Sequence, residues 1–232
     1  MKYMGGKWRL RKWVADAIER ERATAEQYWE PFCGSCAVAV EVVSRGLFHR
    51  YYASDVHDEL IALHKAVSRG WEPPGTVTED DHTQARRGIG EPHWRAFVLF
   101  GCSFGGDYKG GYAKDHRGDD YAGAAKRAVL RDAPFLKQIR FTCASYSRLK
   151  PTRPTVIYCD PPYDRTTGYR DTFDTPRFHR WAEKMSRDHV VLVSEYSAPS
   201  HWEIVSEKER KQGLRSRAGD MRIERVYKVR TK

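Results

Sequence analysis

The sequence predicts an α/β protein in which helices cover an open sheet and a helical insert interrupts the alternation of strands and helices. Three observations lead to this fold class. Segments with strand-like and helix-like hydrophobic spacing alternate over residues 1–70. The alternation stops in residues 71–137, which combine helix-like stretches with a glycine-rich segment, and it returns in residues 138–232. We therefore expect one α/β domain formed by the first and last parts, with the middle part inserted into it.

The first part has the order of a βαβ unit. Residues 8–21 show helical spacing, and residues 27–30 predict a short strand that ends in a glycine turn. A helix over residues 36–46 and a strand over residues 51–55 follow, and a further helix spans residues 57–69. Strands that are joined through a crossover helix run parallel, so these two strands begin a parallel sheet.

The remaining elements extend this sheet and form the insert. Their predicted positions are helices over 91–101, 119–132 and 176–187, strands at Ile139–Cys143, Thr155–Cys159 and 189–194, and a closing pair of strands at 202–206 and 222–229. The insert also contains residues 101–112, which hold too many glycines for a helix or an ordinary strand. In a sheet of this type, ligands bind beyond the carboxyl ends of the strands.

Composition and charge limit the possible functions. The 232-residue chain has 41 Lys and Arg against 31 Asp and Glu, which gives a formal net charge of +10. This balance favours a polyanion such as nucleic acid as partner, because neutralised phosphates release counterions. The alternative is that the charge only maintains solubility.

No stretch approaches the roughly 20 apolar residues of a membrane span, and no signal peptide is visible, so we expect a cytoplasmic protein with no membrane contact.

The cysteines do not indicate a disulfide framework. Their number is five, and an odd count in an intracellular chain argues against such pairing. Cys33 and Cys36 form a CxxC pair, which suits a redox pair or half of a zinc site. No second CxxC or HExxH motif accompanies them, so the sequence favours small residues in a glycine turn and no metal.

The most informative segment is Asp160-Pro161-Pro162-Tyr163, which follows an apolar strand. A carboxylate at a strand end can accept a hydrogen bond from an exocyclic amine, and a carbonyl beside the prolines can accept the second one. Together they would make the amine nitrogen more nucleophilic. Tyr163 offers a face on which a planar base stacks, an interaction worth about 1–3 kcal/mol. The alternative is a proline turn in which Asp160 is satisfied within the protein.

Two further elements fall at the same edge of the predicted sheet. The segment Glu30-Pro31-Phe32-Cys33-Gly34-Ser35 places a glycine turn at the end of the first strand, where a ligand can approach the backbone. Asp55 ends the next strand, where a carboxylate can bind the ribose of a nucleoside cofactor. Each has a plainer alternative, namely a simple strand-to-helix turn and an aspartate that caps a helix.

Together with residues 2–7 (Lys-Tyr-Met-Gly-Gly-Lys), these elements resemble the Dam-type DNA adenine-N6 methyltransferases of the D12 class. In that family a cofactor loop, a target-recognition insert and the DPPY motif follow in this order. The likeness runs from residue 2 to about residue 229, and residues 194–199 are most similar to phage or prophage members. The resemblance implies a Rossmann-like methyltransferase sheet, S-adenosylmethionine as cofactor, and a bacterial or phage-infected host cell.

The resemblance also assigns roles to individual residues. The implied cofactor-binding set is Tyr3, Lys7, Glu30, Pro31, Phe32, Gly34, Asp55 and Asp160. The implied catalytic set is Asp160, Pro161, Pro162 and Tyr163. Within these sets, Lys7 would pair with the cofactor carboxylate, Asp55 would bind ribose, and Tyr163 would stack on a flipped adenine.

Two segments depart from the family pattern. Cys36 stands where glycine or alanine is usual, and a small residue there is expected to be tolerated. Residues 143–146 (Cys-Ala-Ser-Tyr) stand where many relatives have Asp-Phe. The hydrogen bond to the adenine of the cofactor would therefore have to come from another group, such as a serine hydroxyl or the backbone. Neither departure touches the residues that would hold the amine, so we expect an active enzyme.

The insert is expected to contact DNA through its glycine-rich segment, which resembles the hairpin of the family's recognition domain. Candidate contacts, including two in a second basic segment, are Tyr108, Lys109, Tyr112, Lys114, Arg117, Lys126, Arg127, Arg215 and Arg217. The alternative for both segments is an ordinary exposed loop.

The function predicted from the sequence is methyl transfer to adenine N6 in double-stranded DNA by base flipping, with GATC as candidate site and a monomer in solution. The alternatives are cytosine N4 or RNA as substrate, or a catalytically idle DNA-binding module of the same fold.

Overall fold

The computed structural model describes residues 6–113, 120–162, 173–211 and 221–231. The strands are β1 (Gln27–Pro31), β2 (Arg50–Asp55), β3 (Ile139–Cys143), β4 (Thr155–Cys159), β5 (Val190–Glu195), β6 (Glu203–Lys211) and β7 (Met221–Lys228). The helices are α1 (Arg11–Glu21), α2 (Ala37–Ser44), α3 (Asp58–Ser68), α4 (Glu79–Arg86), α5 (Pro92–Gly101), α6 (Tyr121–Leu136) and α7 (Thr175–Met185).

These strands form one seven-stranded sheet in the order β3-β2-β1-β4-β5-β7-β6. The strands from β3 to β5 are parallel, whereas β7 is antiparallel to both β5 and β6. The chain builds outward from β1 to β2 and β3 and then returns to place β4 on the other side of β1. The order of strands therefore reverses between β1 and β4, and a crevice forms at the carboxyl ends of strands that flank such a point.

Each face of the sheet has its own apolar layer, because side chains alternate along a strand. In β4, Val156 and Tyr158 belong to the cluster that α1, α2 and α3 cover. Ile157 and Cys159 belong to a second cluster, in which α7 contributes Phe178. The strand is buried on both faces, as its uninterrupted apolar sequence predicts.

The predicted α/β fold is confirmed, and the insert differs from expectation in one element. Helix α4 was not predicted, because only His82 and Ala85 of its eight residues are buried and the hydrophobic pattern is weak. Its start is nevertheless encoded locally, since Thr78 and Asp81 form a capping box. Helix α6 continues to Leu136, beyond the predicted end at residue 132.

The helices of the insert and the helices that cover the sheet belong to one hydrophobic core. Phe97 of α5 is fully buried in the same cluster as Ile61 and Leu63 of α3, so α5 packs against α3. Within the part of the chain that the structure describes, no helix is long and apolar enough to cross a bilayer.

Candidate active site at the β1–β4 crevice

Asp160, the first residue after β4, forms an ion pair with Lys7. The Nζ of Lys7 lies 3.0 Å from Oδ1 of Asp160 and 3.7 Å from Oε2 of Glu224 on β7. Burial disfavours the charged ammonium, but the two carboxylates outweigh burial and raise the pKa of Lys7 above its usual value. The site therefore holds a buried cation from the N-terminal segment between two acids from the last third of the sequence.

Glu30 lies at the end of β1, beside this crevice, and is 3% exposed. The Tyr28 hydroxyl donates a 2.7 Å hydrogen bond to Oε2 of Glu30. Burial, with a further contribution from the neighbouring Cys36, raises the pKa of Glu30 well above the usual value of a carboxyl group. This environment favours the neutral form of Glu30, whereas Asp160 has a cation beside it.

The β1–α2 turn, residues 32–36, adopts an unusual backbone conformation. Phe32, Gly34 and Cys36 all have positive φ angles, of 73°, 46° and 58°. A left-handed conformation costs a non-glycine residue roughly 1–2 kcal/mol, so the surrounding structure must enforce it at Phe32 and Cys36. Such strain clusters at ligand-binding and catalytic sites.

Hydrogen bonds to two other elements hold this turn. The Gly34 N–H donates to Oδ2 of Asp55 over 3.0 Å, and the Gly34 carbonyl accepts a 2.8 Å bond from Nε2 of His64 on α3. The Cys33 N–H donates to the Ser54 carbonyl over 3.0 Å. The other oxygen of Asp55 accepts from the His57 N–H over 3.1 Å. Asp55 thus binds the turn and the start of α3 at the same time.

Aromatic side chains pack beside the turn. The ring of Phe32 stacks on Tyr146, with centroids 5.2 Å apart, and contacts Phe173 and Phe178 edge-on. Tyr146 lies just after β3, in the segment that departs from the family pattern. The turn, Asp55 and this cluster lie along the carboxyl ends of the parallel strands.

Two cysteines of the turn form a compact polar cluster with a histidine of α3. Cys33, Cys36 and His64 are buried, and their candidate ligand atoms all lie within 4.8 Å of one another. Burial alone would raise the pKa of Cys36, but hydrogen bonding to Cys33 and the nearby His64 outweigh it and lower this pKa to about 6. The hydrogen bond with Cys36 and burial both raise the pKa of Cys33.

Most of the predicted site residues can be placed in the structure. Among the cofactor and catalytic sets, Lys7, Glu30, Pro31, Phe32, Gly34, Asp55 and Asp160 lie at or beside the strand ends, and Pro161 and Pro162 follow Asp160. Tyr3 and Tyr163 lie outside the described residues. Glu224 and His64 were missed, because a charged residue in an edge hairpin and a lone histidine on a helix give no signal in the sequence.

The insert loop, residues 103–112, is closed by backbone pairing between Ser103 and Tyr112. Its tyrosines point inward: the Tyr108 hydroxyl donates to Oε2 of Glu59 over 2.6 Å, and the Tyr112 hydroxyl donates to the Val77 carbonyl over 2.6 Å. Both tyrosines are predicted DNA contacts, and in the structure both hydroxyls are hydrogen-bonded within the protein. Phe104 is 69% exposed and was not predicted as a contact.

The other candidate DNA contacts are less uniform. Lys109 is exposed, Lys126 is half-buried, and the exposed Arg127 forms a 3.3 Å ion pair with Asp120. The remaining candidates, Lys114, Arg117, Arg215 and Arg217, lie outside the described residues.

The fold and site thus define an α/β protein with charged and polar side chains gathered at the reversal point of a parallel sheet. The model of the family described as D12 class N6 adenine-specific DNA methyltransferase matches residues 3–80. This stretch contains Lys7, the β1–α2 turn and Asp55, and it ends before Asp160. No curated protein sequence matches the chain.

Solved structures with a similar fold include a presumed methylase of Haemophilus influenzae, at 10% identity over 96% of this chain and 98% of that protein, with a TM-score of 0.43. A presumed methyltransferase of Escherichia coli has 12% identity over 97% of this chain and 88% of that protein, with a TM-score of 0.43. A third presumed methyltransferase, solved in complex with SAH, has 12% identity over 96% of this chain and 52% of that protein, with a TM-score of 0.41.

Proposed function

We propose that the protein is a D12-class DNA methyltransferase that transfers a methyl group from S-adenosylmethionine to adenine N6 in double-stranded DNA. The observation that carries this proposal is the position of Asp160-Pro161-Pro162 at the carboxyl end of β4, beside the reversal of strand order, with Lys7 3.0 Å from Asp160. The family model supports it independently, because residues 3–80 contain the elements on the other side of the crevice.

The residues around the β1–α2 turn fit a nucleoside cofactor. Each oxygen of Asp55 accepts one backbone N–H, and a carboxylate offers about four acceptor positions, which leaves capacity for ribose hydroxyls. Gly34 lets a ligand approach the turn closely, because it has no side chain. When bound, S-adenosylmethionine would supply a methyl group that its sulfonium already activates.

Asp160 and the Pro161 carbonyl hold the two protons of the target amine in this proposal. Positive charge develops on the amine nitrogen during transfer, and the negative carboxylate of Asp160 stabilises it. Lys7 fixes the direction of that carboxylate through the ion pair. This is a positioning role in addition to the predicted contact between Lys7 and the cofactor. The remaining task is to align nitrogen, methyl carbon and sulfur.

The target adenine must leave the base stack of the duplex to reach Asp160, so the proposal includes base flipping. Tyr163 is the proposed stacking partner of the flipped adenine, and GATC is the proposed recognition sequence. The insert loop is the proposed DNA contact, since it exposes Lys109 and Phe104 while its tyrosines hold it against the insert and α3. The net charge of +10 favours the approach of DNA.

The test is methyl transfer from labelled S-adenosylmethionine to unmethylated DNA, with the product identified by nucleoside digestion and chromatography. We expect N6-methyladenine, and we expect Asp160→Ala to lower the rate by at least about a hundredfold. Asp188→Ala is the matched control, because Asp188 is an exposed acid before β5, at the opposite edge of the sheet.

Two results would contradict the proposal. N4-methylcytosine as product would assign the same chemistry to another amine. Salt-sensitive DNA binding without any methyl transfer would indicate a catalytically idle binding module.

A further inference from the structure

The cluster of Cys33, Cys36 and His64 has no role in the proposed reaction. One turn and one helix bring these residues together: the cysteines flank Gly34 in the β1–α2 turn, and His64 lies on α3. All three are at least nine-tenths buried, with exposed fractions of 4%, 0% and 5%. From the sequence we expect no metal, because no second CxxC completes a site, but the fold supplies a third ligand.

The spacing of the three side chains suits a zinc ion. Ligand atoms at zinc distances of about 2.0–2.3 Å and tetrahedral angles lie roughly 3.5–3.8 Å apart. The atoms of this cluster lie within 4.8 Å of one another, so a contraction of at most about 1.3 Å would bring them to bonding geometry. Thiolate and imidazole are ligands that zinc prefers over oxygen groups.

The hydrogen bond of His64 prepares it for metal binding. A carbonyl oxygen can only accept, so the 2.8 Å contact with the Gly34 carbonyl requires a proton on Nε2. In neutral His64 the lone pair then resides on Nδ1. Metal-binding histidines typically donate their second N–H to a carbonyl or carboxylate in this way, which fixes the ring and the tautomer.

The electrostatic environment also favours a cation. The carboxylate of Asp55 interacts electrostatically with both cysteines and with His64. Two thiolates would neutralise a Zn²⁺ ion, whereas two thiolates without a cation would face each other and Asp55 in a buried site. A metal therefore removes the repulsion that the ligands create.

A redox role for the CxxC pair agrees less well with the structure. Reactive cysteines lie in partly exposed positions, whereas buried cysteines are inert toward other thiols. Cys33 and Cys36 are 4% and 0% exposed, so another thiol has little access to either sulfur.

We propose that Cys33, Cys36 and His64 bind one Zn²⁺ ion, which fastens the β1–α2 turn to α3. Three protein ligands leave a fourth position, which a water molecule fills in many zinc sites. Binding breaks two S–H bonds, forms two Zn–S bonds and one Zn–N bond, and releases two protons to solvent. Because Gly34 lies between the two cysteines, the ion would fix the residue that hydrogen-bonds both Asp55 and His64.

The test is a Co²⁺ titration of metal-free, reduced full-length protein, followed by displacement with Zn²⁺. We expect one equivalent of Co²⁺ to give a thiolate-to-cobalt charge-transfer band and the visible bands of tetrahedral cobalt. One equivalent of Zn²⁺ should abolish both, and zinc should raise the melting temperature of the wild-type protein. Neither DNA nor S-adenosylmethionine is needed, so failure of methyl transfer would not affect the result.

Cys36→Ser and His64→Phe should each weaken Co²⁺ binding by more than about a hundredfold, because even outer contacts of a metal site are worth about 10–100-fold. The matched controls are Cys143→Ser and Cys102→Ser, which change an exposed and a buried cysteine outside the cluster. Circular dichroism reports whether each variant folds. If the cluster variants do not fold, the melting experiment on the wild-type protein still tests the proposal.

Three results would overturn the proposal. One is the absence of both the charge-transfer band and the zinc-dependent melting shift in wild-type protein. Another is unchanged Co²⁺ binding in folded Cys36→Ser. The third is a disulfide between Cys33 and Cys36 in the protein as purified, seen as a mass two hydrogens lower, with no stoichiometric metal binding after reduction.

Discussion

The β1–α2 turn contains one glycine and the insert loop contains four, and the structure holds the two segments in opposite ways. The β1–α2 turn is held through its backbone, since the Gly34 N–H and carbonyl both have side-chain partners. The insert loop is held through its side chains, since the hydroxyls of Tyr108 and Tyr112 reach groups outside the loop. The first arrangement fixes the backbone of the turn, and the second leaves the side chains of Phe104 and Lys109 exposed.

The largest effect is expected from Lys7→Met, which removes the cation from the crevice. Asp160 and Glu224 would lose the cation that lies 3.0 Å and 3.7 Å from them, and Lys7 is only 7% exposed. Breaking a buried pair from one side costs about 3–5 kcal/mol of unfolding free energy, which urea denaturation measures. Lys109→Met, on the exposed loop, should change it by less than about 0.5 kcal/mol. Equal effects of the two variants would mean that the crevice is not a buried ionic site.

Asp55→Ala tests the backbone anchoring of the β1–α2 turn. The N–H groups of Gly34 and His57 would each lose an acceptor, at a cost of about 1–3 kcal/mol of unfolding free energy. Asp55→Asn keeps one carbonyl oxygen and should lose less. Thermal and urea unfolding of the two variants compare them, and an Asn variant as unstable as the Ala variant would argue against these bonds.

Tyr108→Phe tests the side-chain anchoring of the insert loop. The change removes one hydrogen bond to Glu59, while Arg95 still pairs with that carboxylate. We expect a loss of about 0.5–1.5 kcal/mol of unfolding free energy. Hydrogen exchange of the amides in residues 103–112 should rise at the same time. Unchanged exchange in this loop would mean that Tyr108 does not hold it.

Phe104→Ser should have the smallest effect on stability. The side chain is 69% exposed, so the unfolding free energy should change by less than about 0.5 kcal/mol. Affinity for duplex DNA at fixed salt should nevertheless fall, because the proposed interface loses an exposed aromatic ring. Stability and DNA affinity that both stay at the wild-type value would remove Phe104 from the proposed interface.

The sheet could be predicted because its signals are local. Apolar runs such as Thr155–Cys159 and the glycine turn after β1 indicate strands, and their alternation with helices along the chain, without long-range information. Helix α4 was missed because its surface is almost entirely polar, although Thr78 and Asp81 encode its start. Hydrophobic periodicity detects buried faces, so it overlooks an element with only two buried residues.

The site could be predicted only in part, because its partners are distant in sequence. Their positions at strand ends make Asp55 and Asp160 candidates, since the carboxyl ends of parallel strands meet at one edge. Nothing near Glu224 indicates that it lies 3.7 Å from Lys7, and nothing near His64 indicates its contact with Gly34. The inward hydrogen bonds of Tyr108 and Tyr112 depend on α3 and Val77, which hydrophobic spacing within the loop cannot reveal.

The contact of Lys7 with both Asp160 and Glu224 also has a consequence for the order of folding. A ribosome adds about 5–20 residues per second, so Lys7 is synthesised roughly 10–40 s before Glu224. Until β7 has been synthesised, Lys7 lacks one of its two acids, so any structure that forms earlier lacks the complete set of ion pairs. The charged cluster is therefore the product of the last strand of the sheet to be synthesised, although its cation comes from a segment before the first strand.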